Sequence, residues 1–277
     1  MMNVWQHLLE SIDPVVFSIG FLSVHWYGIC FLLGITAVWL WIERDQKRHP
    51  WGDHRALADE FLFVVLIGAL VGARLGYALW YAPEYFLEYP LALISPFDPV
   101  SGGYSGFSGL SFHGALVGLA FACFVWTVRR RQDFLVWVDR IALAAPLGIF
   151  FGRIGNFTNS ELWGRPTEMA WGIYFPLADS VLRHPSPLYE ALGEGILLFI
   201  ILDLLRRHVA SRPGQMTAWF IFLYGWIRFL LEYFREPDIQ VGLLAFGFSL
   251  GQWLSLGMIG LGGVMLWLLR GKHRDMV

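Results

Sequence analysis

Seven apolar stretches, at about 16–42, 60–81, 110–128, 138–151, 188–205, 216–234 and 250–269, punctuate this chain of 277 residues. Most reach the ~18 residues that a helix needs to cross a hydrocarbon core about 30 Å thick, and in lipid a helix satisfies its own backbone. The fourth is short and carries Pro146. Gly68, Gly72 and Gly76 recur at four-residue spacing in the second, which puts them on one helix face where another helix can pack closely. The pattern predicts an all-α integral membrane protein of about seven transmembrane helices. It reads as one polytopic domain over 1–277, with a polar head segment at 153–187 between spans four and five. A polar lead at 1–15 and a loop at 82–109 complete it.

Composition sharpens this reading. Hydrophobic residues make up 56% and charged residues only 15%, against about 25% charged in soluble domains. A net charge of −2 gives no hint of a nucleic-acid partner. Cys30 and Cys123 both sit inside apolar stretches without metal-ligand spacing, so they read as packed thiols. No Lys or Arg precedes Arg44, which argues for an uncleaved first anchor and against a basic signal peptide.

Basic residues set the orientation. Fourteen of the twenty follow the odd-numbered spans, and only Arg153, Arg165, Arg183 and Arg235 fall on the opposite side, with Arg74 and Arg228 inside spans. Cytoplasmic loops retain Lys and Arg, which places the N-terminus outside and the C-terminus in the cytoplasm. His113, Arg153, His184 and Arg235 then all belong to the outer, periplasmic half.

Arg228, Glu232 and Arg235 follow i, i+4, i+7 spacing on one face of the sixth span. Ionisable groups at that depth cost at least ~2.5 kcal/mol each and face a partner inside the protein. One reading is an ion pair that ties helices together. The other is an anion site in which Arg228 and Arg235 grip a phosphate and Glu232 orients one of them, with Arg153 joining from another helix. A phospholipid headgroup is the anion that suits this depth.

The stretch 152–164 follows the fourth span and holds Gly152, Arg153, Gly155, Asn156, Asn159, Glu161 and Gly164. It is either a helix-ending loop or a polar grip on a ligand. His113 is a helix cap or a general base; Tyr27 reads as an interfacial or packed aromatic; Arg74 reads as structural, paired with a loop carboxylate. No nucleotide-binding loop, zinc motif or nucleophile turn is present in the sequence, and no cofactor or metal is implied.

The run Gly152-Arg153-Ile154-Gly155-Asn156-Phe157-Thr158-Asn159-Ser160-Glu161-Leu162-Trp163-Gly164 resembles the signature of the bacterial prolipoprotein diacylglyceryl transferases. The likeness extends to His25 through Gly28, Gly72 through Arg74, Ser111 through Gly114, Arg183 through Ser186 with Leu188 through Glu190, and Arg228 through Asp238. Ala115 and Pro187 depart from the pattern, which often has Gly and Gln there.

The resemblance implies an enzyme of the bacterial inner membrane, with its site on the periplasmic side. Such an enzyme moves the diacylglyceryl group of phosphatidylglycerol to the lipobox cysteine thiol of a pre-prolipoprotein, releasing glycerol 1-phosphate. Its functional residues map onto Tyr27, His113, Arg153, Asn156, Glu161, Gly164, Arg228, Glu232 and Arg235. In that scheme Arg153 and Arg228 meet the phosphate, Glu161 and Glu232 orient them, Asn156 meets the headgroup and His113 is the candidate base. A transporter or flippase of an anionic lipid would use the same arginines without covalent chemistry. An intramembrane protease lacks its sequence signature.

The orientation predicts that a reporter fused after Val277 is active only on the cytoplasmic side. Activity confined to the outer side would overturn it.

Overall fold

The computed structural model describes residues 4–20, 22–48, 55–100, 102–104, 106, 109–208, 212–237 and 242–270. Asp238, Lys272, Arg274 and Val277 lie outside the described residues. A short 3-10 turn, Leu8–Ser11, precedes strands β1 (Val15–Ile19) and β2 (Leu22–His25). Helices follow as α1 (Trp26–Arg48), α2 (Arg55–Trp80), α3 (Pro83–Glu88), α4 (Phe112–Arg130) and α5 (Phe134–Thr158). After α6 (Ser186–Glu190) come a π-helical segment (Ala191–Leu197), α7 (Leu198–His208), α8 (Gln215–Leu231) and α9 (Leu250–Leu269). Among the described residues, five of these helices (α1, α2, α4, α5 and α9) are long and apolar enough to cross a membrane.

Three expectations change. The first span does not begin at Val16, because Val15–Ile19 and Leu22–His25 pair as antiparallel strands. The strands are β-branched or aromatic at Val15, Val16, Phe17 and Val24, Gly20 turns at φ +60°, and the Ser18 and Ser23 hydroxyls pair at 2.9 Å. The chain is mostly helical, as an all-α membrane protein should be, with this one two-stranded hairpin set before α1.

Residues 153–158 are helical, so the fourth span is longer than 138–151. Pro146 sits within α5 without ending it, as prolines in membrane helices can when neighbouring groups satisfy the freed carbonyl. The fifth stretch begins at Ser186, with Pro187 in its first turn, where a proline needs no N–H partner.

The coordinates group into two compact units, residues 1–42 with 138–277 and residues 43–137. In the second unit the glycine row of α2 meets α4. A Cβ on Gly72 would stand 2.6 Å from Gly118 Cα, and one on Gly76 would stand 2.7 Å from Gly114 Cα. The backbones are in contact because side chains are absent. Arg74 donates to the carbonyls of Ala92, Leu93 and Gly109 at 2.7 to 3.2 Å and covers the Phe86 ring at 5.1 Å. Its described hydrogen bonds thus go to backbone oxygens, and they pin the loop that follows α2.

In the first unit, Asp139 of α5 serves as the missing cap of α8. Gly214 offers no side chain at that N-terminus, and the Asp139 carboxylate accepts from Gly214 N (2.8 Å), Thr217 N (2.7 Å) and Thr217 Oγ1 (2.6 Å). A carboxylate there also faces the positive end of the helix dipole. The N-terminal turn packs on the head: Leu9 joins Phe157, Ile173 and Phe175 in a buried cluster, Trp5 Nε1 donates to Trp171 O at 2.8 Å, and His7 stacks on Tyr174.

Replacing Asp139 with Ala strands three donors, so it is expected to destabilise the detergent-solubilised protein by about 1–3 kcal/mol. Asp139→Asn, which keeps one acceptor, should lose less. A thermal midpoint unmoved by Asp139→Ala would contradict this role.

Candidate active site

Arg153 lies in the last two turns of α5, where the signature stretch was expected to have left the helix. The helix runs on to Thr158 and closes with a turn that explains the order of residues after it. Ser160 adopts the left-handed conformation (φ +57°), its N–H donating to Phe157 O at 3.0 Å, and Glu161 N–H reaches back to Asn156 O at 2.9 Å. This is the paired bonding of a Schellman cap, with Ser where Gly is usual. It brings the Glu161 carboxylate onto the Asn156 and Asn159 amides at 3.2 and 3.3 Å. Glu161 was expected to orient an arginine; among the described hydrogen bonds it instead orders the two asparagines.

The arginines are held from a different helix. Glu190 and Glu194 project from the run that starts at Ser186, and both side chains are fully buried. Arg153 reaches Glu190 Oε2 and Glu194 Oε2, each at 3.0 Å. Arg228, in the last turn of α8, reaches Glu190 Oε1 at 2.7 Å and Glu194 Oε1 at 3.1 Å through Nη1. Two guanidiniums and two carboxylates thus close a ring across three helical segments.

Glu232 sits just past the end of α8, touches Arg228 Nη2 at 2.5 Å and accepts from Ser249 Oγ at 3.0 Å. Arg235 is 3.8 Å from Glu190 Oε1, in the turn after the helix rather than on its face. Tyr224 Oη approaches Glu194 at 3.5 Å.

The sequence reading assigned no role to Glu190, Glu194 or Tyr224. The signal for the glutamates was present: two acids at i and i+4 in an apolar stretch must have cationic partners. The π-helical turn at Ala191–Leu197 lies in the same run, and such turns are frequent at functional sites.

Tyr27 stands at the start of α1, close to Gly155 of α5. A Cβ on Gly155 would lie 2.9 Å from Tyr27 Cδ2, so glycine there brings the phenol toward the signature helix, within electrostatic reach of Arg153 and Glu161. His113 belongs to the other unit, in the first turn of α4 after the Ser111 cap, exposed and edge-on to Phe112.

Gly164 is the junction of the head. It pairs with Arg235, its N–H donates to His184 O at 3.0 Å, and Arg165 N–H donates to Phe234 O at 2.9 Å. Arg165 Nε donates to Arg235 O at 3.0 Å, tying the backbone of that arginine to the signature stretch. Arg183 spans Asp179, Glu236 and Gly164 O, and it holds the Asp179 carboxyl below the usual carboxylate range. Burial pushes the His184 imidazole below its ordinary value.

Similarity to known proteins covers nearly all of this framework. The family model of prolipoprotein diacylglyceryl transferases matches residues 14–268. The chain belongs to this family. Relatives named phosphatidylglycerol--prolipoprotein diacylglyceryl transferase include one from Campylobacter lari, 39% identical over 277 residues, which spans 99% of this chain and 100% of that protein. The Chlorobaculum tepidum relative is 42% identical over 95% of this chain and 92% of its own length, and that from Cupriavidus metallidurans is 43% identical over 92% of each. As a family member the chain is a transferase-family membrane protein whose paired arginines, buried glutamates and capped signature helix form one connected polar centre.

Gly164→Ala would drive a methyl group to 2.6 Å from His184 Cβ and 2.7 Å from Phe234 O. A fall of several degrees in thermal midpoint is expected, whereas Gly152→Ala, whose Cβ meets nothing within 4 Å, should leave the midpoint unchanged. Equal midpoints for the two variants would contradict the junction role.

Proposed function

We propose that this chain performs the reaction named in its relatives: it transfers the diacylglyceryl group of phosphatidylglycerol to the lipobox cysteine thiol of a pre-prolipoprotein. A thioether forms and glycerol 1-phosphate leaves, the first step of lipoprotein maturation. The observation that carries the reading is the pair Arg153 and Arg228, 17% and 12% exposed at their side chains, seated on two glutamates with no exposure at all. The arginine side chains keep some exposure, whereas the carboxylates that hold them have none.

In this reaction the sulfur attacks a glycerol carbon, the carbon–oxygen bond to phosphate breaks, and the electron pair moves onto the phosphate. Negative charge grows on the leaving group, and Arg153 and Arg228 are already aimed and need no reorganisation to stabilise it. Glu232 and the two buried glutamates fix their forks. Asn156, ordered by Glu161, meets the headgroup, and Tyr27 positions a substrate beside the signature helix. A thiol with pKa about 8.5 is mostly protonated at neutral pH, so a base must take its proton; His113 is assigned that role.

The site belongs to a seven-span protein of the bacterial inner membrane, and the head segment expected at 153–187, which is non-helical between Thr158 and Ser186, faces the periplasm. Two further helical runs support the count. The run from Ser186 to His208 is interrupted only in its hydrogen-bond register, and α8, 17 residues long, spans about 25 Å. The distribution of basic residues supports the orientation.

Arg228→Lys keeps the charge but cannot touch Glu232 with one nitrogen and the Glu190/Glu194 pair with another. Transfer to a lipobox peptide is expected to fall on the order of a hundredfold, and turnover within about threefold of wild type would remove the fork from the mechanism. His113→Gln should cost most activity at neutral pH; full transfer would take the base role from His113.

A further inference from the structure

The linked ion-pair cluster contains Arg153, Arg228 and Arg235 on one side and Glu190, Glu194 and Glu232 on the other. Its formal charge is zero. That is a peculiar balance for a site that must hold an anion, and the order of burial makes it more so. The arginine side chains are 12–17% exposed, while Glu190 and Glu194 are at 0%. A phosphate that reaches the arginines gains attraction from each guanidinium, and that gain is offset by the carboxylates in contact with it.

We infer that Glu190 and Glu194 are internal counter-anions that weaken the grip of the site on phosphate, so that the product is released after it forms. The inference rests on the transfer reaction proposed above. In that reaction the thiol proton goes to the base, the sulfur–carbon bond forms and the carbon–oxygen bond breaks. A phosphodiester carrying one negative charge becomes a phosphomonoester that carries up to two. A cluster of bare arginines would therefore bind product more tightly than substrate, and each turnover would end in a trapped complex. Two fixed carboxylates repel the dianion more than the monoanion and shift the preference back.

The geometry fits repulsion as well as support. Arg153 divides its two terminal nitrogens between the glutamates, and Arg228 Nη1 is shared by both. The guanidiniums are thus partly neutralised as well as aimed. Both glutamates are positioning residues that act through the arginines.

A merely structural role predicts the opposite sign from this one. Removing a structural support loosens the arginines and weakens anion binding; removing a counter-anion tightens it. Full-length wild type, Glu194→Gln, Glu190→Gln and Glu194→Asp are compared in micelles containing phosphatidylglycerol. Inhibition of lipobox-peptide transfer is measured with glycerol 1-phosphate and with inorganic phosphate, together with turnover and the Michaelis constant. Calorimetric binding of the same two anions covers any variant too slow to assay.

Either Gln variant is expected to bind glycerol 1-phosphate about tenfold or more tightly, with turnover lowered more than the Michaelis constant is raised. Glu194→Asp should stay within about threefold of wild type in affinity. Unchanged or weaker anion binding by both Gln variants, or failure of both to fold while the Asp variant does, would overturn the inference and leave the glutamates as structural supports. If wild type makes no thioether product, the proposed reaction itself is what fails.

Discussion

A positive charge inside a membrane protein must be met by opposite charge or by polar groups, and in the first unit buried carboxylates meet it. Arg153 from α5 and Arg228 from α8 are bridged by Glu190 and Glu194 from the run between them. Each of the four meets two of the others, so dropping one leaves its neighbours a second partner but unbalances the charge of the ring. The ring therefore fixes the relative register of three helical segments at one depth. Asp139 performs the same service at the far end of α5, where it caps α8. Between these two polar anchors the helices pack through apolar contacts among Leu143, Leu198, Leu202 and Met216.

Around the ring, the signature stretch works as a helix terminus with a recognition function built on it. The Schellman turn at Ser160 returns the chain so that Glu161 faces Asn156, and Gly164 then lets three backbone segments meet. One of those segments carries Arg235. Part of the sequence pattern that marks the family is thus explained: acid and amides order each other, and Gly155 and Gly164 stand where a side chain would not fit.

Much of this was legible before the coordinates. The glycine row of α2 announced its contact with α4, the apolar stretch at 250–269 coincides with α9, and Arg228 and Glu232 were paired by spacing alone. What was hidden has physical reasons. Val16, Phe17 and Ile19 are apolar and lead toward an apolar helix, so by hydrophobicity alone the hairpin merges with the first span. Arg153 and Asn156 looked too polar to remain helical because their partners lie up to 41 residues away. Glu190 and Glu194 stand in an apolar stretch far in sequence from Arg153 and Arg228, although a buried anion is as demanding as a buried cation.

The account stands or falls on covalent chemistry. Purified wild-type protein, incubated with phosphatidylglycerol and a lipobox peptide, should yield peptide whose mass has risen by one diacylglyceryl group on its cysteine. The same incubation should release one glycerol phosphate for each modified thiol. Lipid movement across a vesicle without any modified peptide would contradict the account and make the arginine centre a transport site.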